Sequence, residues 1–385
     1  MKKNSYMKNL SLIMLFLLIF STLKAQDTNE KAKELFNEGK GYISQNKFDQ
    51  ALNCFNQSAS LYKNDGQTKN MVIVQTTELE LLINLGKINE AKAIAKTILP
   101  EAIKSFGEQS KIVGHIYTLE GRLAFMSSSY KKSKKYFIKS LKIREKTDGK
   151  ESTEVGLIMS DLALNYSAEG QLDSAIFYNL QSIRIISKNE GENNSDLVYP
   201  MINLSNIYIS QGNLEQAIKI KKTIVKIVSK TKGLGNPIVA EAYSGIGNAY
   251  MAKGEYKLAE EYLLKSEDIF KQIYGEKAFK LATIYINLGN LYNKLQNYDY
   301  ALLYYFKATK ILEKGSSENS FLPVLYNNIG LVCKNQKNYQ NAELYLNKAY
   351  SLMKNSGIGN SSQAAAVIIN LASIYNLTKK LNKAA

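Results

Sequence analysis

Residues 247–259 read Gly-Asn-Ala-Tyr-Met-Ala-Lys-Gly-Glu-Tyr-Lys-Leu-Ala, and 42 positions later residues 289–301 read Gly-Asn-Leu-Tyr-Asn-Lys-Leu-Gln-Asn-Tyr-Asp-Tyr-Ala. Glycine, asparagine, two tyrosines and a closing alanine recur in one register. Followed along the chain, the closing position is Ala51, Ala91, Ser133, Ala175, Ala217, Ala259, Ala301, Ala342 and Ala384, at intervals of 40, 42, 42, 42, 42, 42, 41 and 42. A period held this closely marks an array of like units, each one supersecondary element long. Three residues before each marker stands a bulky apolar residue: Phe48, Ile88, Tyr130, Leu172, Leu214, Tyr256, Tyr298, Tyr339 and Leu381. Twelve before it stands a small one: Gly39, Gly121, Ala163, Ser205, Gly247, Gly289, Gly330 and Ala372, with Leu79 as the exception. Nine before it, six units carry Tyr42, Tyr166, Tyr208, Tyr250, Tyr292 and Tyr375.

Each unit reads as two amphipathic helices. Over 282–312, Ile284, Leu288, Leu291, Tyr292 and Leu295 recur at helical spacing, Asn297 interrupts, and Tyr298, Ala301, Leu302, Tyr305, Ala308 and Leu312 form a second stripe. The small residue on the first helix and the alanine on the second suit a close crossing. The tyrosine supplies area that neighbouring units can bury. Polar stretches, mostly with glycine, such as 146–152, 187–196, 231–237, 313–320 and 354–362, lead from one unit to the next. The fold expected is all-α.

The pattern resembles the tetratricopeptide repeat over residues 31–385, most clearly at Gly247–Ala259 and Gly289–Ala301. Its spacing is similar to that of the long-repeat subclass, found in kinesin light chains and bacterial sensor proteins. The extra length is expected in the second helix and the loop after it. The second unit departs most, with Leu79 and Leu82 where the small residue and the tyrosine are expected. The resemblance implies a right-handed α-solenoid of about nine helix-turn-helix units over 26–385, the last incomplete, with the first helices lining a concave groove.

Ahead of the array, Lys2, Lys3 and Lys8 precede an apolar run from Leu10 to Phe20, followed by small and polar residues to Gln26. A run this short falls well below the roughly 20 residues a membrane-spanning helix needs, so residues 1–25 are read as a signal peptide cleaved after Ala25. No cysteine stands there to take a lipid anchor, and the protein is expected to be exported, to the periplasm or beyond. The net charge of +16 becomes +12 on loss of Lys2, Lys3, Lys8 and Lys24. Export argues against a nucleic-acid partner, and the lysines are dispersed as on a solvated face. Cys54 and Cys333 both fall within apolar helical stripes, far apart in the array, and are expected as buried thiols rather than as a disulfide.

Polar residues recur in register on the first helix. Asn37, Asn203, Asn287, Asn328 and Asn370, with Asp161, stand fourteen before their markers; Asn206, Asn248 and Asn290 stand eleven before. A difference of three puts both rows on one helix face. An asparagine donates and accepts together, which suits the backbone of an extended peptide. In peptide-clamping tetratricopeptide domains, asparagines at such places hold the ligand backbone or its carboxylate. The resemblance therefore points to Asn203, Asn206, Asn248, Asn287, Asn290 and Asn328, with Arg122, as groove residues. Of the clamp's cations only Lys40 and Arg122 stand beside them. The plainer alternative is that the asparagines bond between adjacent helices and fix the stacking.

Catalysis has no visible home. His115 is the only histidine, so neither a multi-histidine metal site nor a histidine-based nucleophile set can be assembled, and no glycine-rich phosphate loop follows a strand. The 26 tyrosines are accounted for by repeat packing. No metal and no cofactor are expected. The reading is an exported, non-enzymatic scaffold for a protein or peptide. Its rival is the input module of a membrane signalling protein, a histidine kinase or helix-turn-helix regulator, because residues 381–385 stop at the start of a second helix. In that rival a transmembrane helix beyond Ala385 would supply the membrane connection.

Overall fold

The computed structural model describes residues 27–314 and 321–378. The expected signal segment and the incomplete ninth hairpin's second helix lie outside them. The described residues form helices and turns without a strand, and they fall into two compact units divided between Glu192 and Asn193.

The first unit holds four hairpins. They are α1 (27–44) with α2 (Phe48–Asn64), α3 (Thr68–Asn84) with α4 (Ile88–Phe106), α5 (Lys111–Met126) with α6 (Tyr130–Thr147), and α7 (Thr153–Ala168) with α8 (Leu172–Glu190). The second unit opens on a short 3-10 turn, Ser195–Leu197. It continues as α9 (Val198–Ser210), α10 (Leu214–Lys232), α11 (Pro237–Lys253), α12 (Tyr256–Tyr274), α13 (Phe279–Lys294), α14 (Tyr298–Leu312), α15 (Phe321–Asn335), α16 (Tyr339–Asn355) and α17 (Ser362–Leu377). Within each unit every helix packs on the next one in sequence, as expected where a repeat buries its apolar face on its neighbour. In four hairpins the second helix is the longer, α4, α8, α10 and α12 running 19 residues each against 17, 16, 13 and 17 for α3, α7, α9 and α11, whereas α14, at 15, is shorter than α13, at 16.

The markers are buried at every described position from Ala51 to Ala342. The reason for the small residue twelve before them is a single side chain four after them. A Cβ on Gly39 would lie 2.5 Å from the Phe55 ring, on Gly121 2.6 Å from Phe137, on Gly247 2.8 Å from Leu263, on Gly289 2.4 Å from Tyr305 and on Gly330 2.7 Å from Leu346. At the one large residue in this row the second helix carries a small one. Leu79, the exception in sequence, is matched by Ala95, and both are buried in one apolar cluster.

The turn inside each hairpin has a feature invisible as a residue pattern. Five before the marker, the chain turns through a left-handed residue in all eight complete hairpins: Asn46, Gly86, Ser128, Gly170, Gly212, Gly254, Gln296 and Lys337, with φ between 56° and 80°. Four of these have a Cβ that this region disfavours by about 1–2 kcal/mol, partly offset by the larger entropy glycine loses. Gln296→Gly is therefore expected to raise stability by about 0.5–1 kcal/mol, and Gly212→Ala to lower it, in urea unfolding followed by circular dichroism. A loss of stability in Gln296→Gly would contradict the strain.

Candidate functional site

All six asparagines lie on first helices of the second unit: Asn203 and Asn206 on α9, Asn248 on α11, Asn287 and Asn290 on α13, Asn328 on α15. Their surroundings differ. Asn290 Oδ1 accepts from the Tyr305 hydroxyl at 2.6 Å and from Asn328 Nδ2 at 3.4 Å, so this pair ties α13 to α14 and α15. A similar bond runs from Asn370 Nδ2 to Asn327 Oδ1 at 3.0 Å. Asn203 is buried, with Nδ2 unpartnered, and Asn248 has a buried, unpartnered Oδ1. Asn287 is half-buried on α13.

Asn206 and Asn248 come together. They line one hollow of about 390 Å3 walled by α9 and α11 and floored by α10, with Ile202, Ile209 and Ser244 among its neighbours. Apolar walls with a few polar groups aimed inward are the usual make-up of a ligand site. The asparagine rows thus do two jobs: stacking at Asn290 and Asn328, and lining a hollow at Asn206 and Asn248.

Arg122 stands apart, on α5 of the first unit. Its Nε donates to Asp161 Oδ2 at 3.0 Å, joining α5 to α7. Burial pushes the Asp161 carboxyl above its ordinary range and Arg122 opposes this, so the guanidinium is needed where it is. Lys40 Nζ lies 4.2 Å from the centre of the Phe36 ring. The cation that does stand beside the asparagines was missed in sequence: Lys221 of α10, buried in the floor of the hollow, donates to Asn206 Oδ1 at 3.4 Å.

His115 is half-buried with Nε2 3.5 Å from Glu80, and this contact is the main cause holding the Glu80 carboxyl below its usual range. Among the described residues no group of three or more metal-binding side chains comes together. Cys54 and Cys333 are buried free thiols whose pKa values burial raises. Tyrosines nine before the marker stack within their own hairpin: Tyr166 on Tyr178, Tyr250 on Tyr262 and Tyr292 on Tyr304, at 5.2–5.6 Å between ring centres. A lysine of the preceding hairpin, Lys222, lies over both Tyr250 and Tyr262. No described helix is long and apolar enough to cross a membrane.

Family models for the tetratricopeptide repeat match residues 196–271, 238–314 and 324–355. No curated protein matches the chain significantly in sequence. Among solved structures, the apo form of the quorum sensor NprR from B. thuringiensis is 18% identical over 93% of this chain and 96% of its own, with a TM-score of 0.65. Apo RapI is 17% identical over 91% and 98%, with a TM-score of 0.61. A Rap protein complexed with competence and sporulation factor is 16% identical over 92% and 100%, with a TM-score of 0.53. At such identities the likeness is one of fold. The chain carries tetratricopeptide repeats, and its fold is the α-solenoid that such repeats build.

Proposed function

We propose that the protein is an exported, non-catalytic scaffold that binds an extended peptide along the first-helix face of its second unit. The observation that carries this is the hollow between α9 and α11, into which Asn206 and Asn248 bring amides in register from successive hairpins. Two proteins of the same fold are, by name, a quorum sensor and a Rap protein complexed with a factor; they are precedents for binding on this scaffold. Export rests on the basic and apolar leader at 1–25. Fractionation of expressing cells should find the mature protein outside the cytoplasm with Gln26 at its N-terminus, and an intact Met1 in the cytosol would remove this part of the reading.

A random heptapeptide library panned on the full chain tests the groove. For the enriched peptides, Asn206→Ala combined with Asn248→Ala should weaken binding roughly 5- to 150-fold, since each lost hydrogen bond costs about 0.5–1.5 kcal/mol. Asn248→Ala alone should barely move the melting temperature, because alanine is the better helix former, whereas Asn206→Ala also takes from the buried Lys221 amine its one acceptor and should lower it. Asn290→Ala should also lower it, costing about 1–3 kcal/mol of stability by stranding the buried Tyr305 hydroxyl. If the double variant melts early and binds normally, the amides serve packing and the groove reading fails.

A further inference from the structure

Where one hairpin of the second unit leads to the next, a large apolar residue stands in solvent. Between α10 and α11, Leu234 sits between Gly233 and Gly235 and is 62% exposed. Tyr274 closes α12 and Phe279 opens α13, the latter 53% exposed; Phe321 opens α15 and is exposed likewise. After α16, Ile358 sits between Gly357 and Gly359 and is 42% exposed. Ile358 also helps to end its helix, since its N–H donates to Met353 O. At Leu234 that duty falls to Gly233, whose N–H donates to Ser229 O.

Single exposed apolar residues are ordinary, but these recur at one place in successive hairpins. Because each hairpin turns back on itself, the ends of the second helices and the starts of the first helices share one edge of the unit. On the opposite edge, the described turns at 211–213, 254–255, 295–297 and 336–338 hold Leu295 as their only large apolar residue. The matching loops of the first unit, 65–67, 107–110 and 148–152, hold none, and Phe106, which closes α4, is packed against the core.

The same edge is basic. The last turns of α10, α12, α14 and α16 and the described loop residues after them carry seven lysines, with Glu276 and Glu313 as their only carboxylates. The equivalent stretches of the first unit carry six cations and seven carboxylates. Glu313 is already engaged by the Tyr326 hydroxyl. Two successive loops pool their charge around a hollow of about 240 Å3, lined by Lys271, Lys277, Lys307, Lys310 and Lys314 with Glu276 as its one acid. Lys271 is paired with Glu267 at 2.6 Å, and Lys307 lies over the Tyr285 and Tyr304 rings. Lys277, Lys310 and Lys314 are exposed and form no ion pair with a described carboxylate. Like charges crowded in this way repel, and an anion among them relieves the repulsion.

The pattern selects the partner. The centre of a protein interface is a contiguous apolar patch from which charge is depleted. This edge is the reverse, with apolar tips one per hairpin and unpaired lysines between them. A fluid anionic surface asks for no shape complementarity: aromatic and aliphatic tips enter the headgroup boundary singly while lysines meet the phosphates.

We propose that the inter-hairpin edge of the second unit docks on an anionic phospholipid bilayer, with Leu234, Tyr274, Phe279, Phe321 and Ile358 entering the headgroup boundary and the lysines of the hollow between α12 and α14 taking lipid phosphates. This is attachment to a membrane surface, distinct from a spanning helix. It is independent of the peptide groove.

The chain has no tryptophan, so one introduced at a tip reports that tip alone. Full-chain Leu234→Trp and Phe279→Trp are mixed with phosphatidylcholine vesicles, with and without about 30% phosphatidylglycerol. On the anionic vesicles both tryptophans should shift their emission to the blue and be quenched by lipids brominated in the acyl chains. Neutral vesicles should leave the emission unchanged. Leu295→Trp, on the opposite edge, should shift on neither, which separates docking by this edge from any capture through the leader at 1–25. Adding Lys277→Gln and Lys314→Gln to Phe279→Trp should raise the lipid concentration needed about 25-fold, at roughly fivefold for each lysine near the surface. Circular dichroism should not change, since both side chains are exposed.

An unshifted emission on anionic vesicles would overturn the docking edge, as would equal shifts on neutral vesicles or an equal shift in Leu295→Trp. A response undiminished by the two lysine substitutions would remove the anionic surface as the partner. A blue shift that needs no vesicles and grows with protein concentration would assign the edge to a second copy of this chain, and would likewise overturn the proposal.

Discussion

Replacing Tyr305 by alanine is expected to destabilise the second unit by about 3–5 kcal/mol, the usual cost of truncating a large aromatic in a core. Tyr305 is 1% exposed and heads the fully buried large side chains. Its ring fills the space over Gly289, and its hydroxyl is held by Asn290. The reciprocal change, Gly289→Ala, places a methyl group where the ring already stands and should cost about 1–3 kcal/mol by overpacking. The two effects are coupled. In Gly289→Ala with Tyr305→Ala, the new methyl enters space that the ring has vacated, so the double variant should lose clearly less than the sum of the singles. Urea unfolding with hydrogen exchange read on α13 and α14 would measure this. Strict additivity would mean that the ring and the glycine do not constrain each other.

That pairing shows what the sequence carries and what it hides. The array, the hairpin in each period and the place of the small residue are all legible, because Ala51 to Ala342 and the glycines are chosen by steric fit and recur as residue types. Leu79 looks like an outlier until Ala95 is read with it, since a large residue on the first helix is met there by a small one 16 residues on, both buried in one cluster. The left-handed turn is hidden for a different reason. Asn46, Ser128, Gln296 and Lys337 share a backbone angle with Gly86 and share no chemistry. The groove was half legible. The asparagine rows could be counted, but whether an amide faces a neighbour or a hollow depends on what the second helix sends up to it. Tyr305 reaches Asn290 and closes that position, while Lys221 reaches Asn206 and leaves a cation in an open one. A lone lysine in a lysine-rich helix reads as solvated; only its register against Phe137, Leu263 and Leu346 marks it as buried.

The first unit carries a buried carboxylate with a pH signature. Glu78 on α3 stands thirteen before Ala91, a place filled by Leu162, Leu204, Ile246, Leu288 and Ile329 from the fourth hairpin on and by the less buried Glu38 and Glu120 in the first and third. It is 7% exposed. Burial, with a smaller push from Glu90, raises its carboxyl from 4.5 to about 7. Because the folded pKa lies above the unfolded one, the folded state holds this proton more tightly, and stability is greatest below about pH 4.5. It falls as the pH rises through the window between 4.5 and 7, where the unfolded chain has released the proton and the folded chain has not, and levels off above it. At 1.36 kcal/mol per unit the loss amounts to up to about 3 kcal/mol. Glu78→Gln keeps the shape and removes the titration, so its stability gain over the native protein should be small at pH 4 and reach up to about 3 kcal/mol at pH 8. Other groups that titrate in this range cancel in the difference. A gain that does not change between those pH values would show that Glu78 releases its proton in the folded protein as it does in the unfolded chain, with its charge solvated despite its burial.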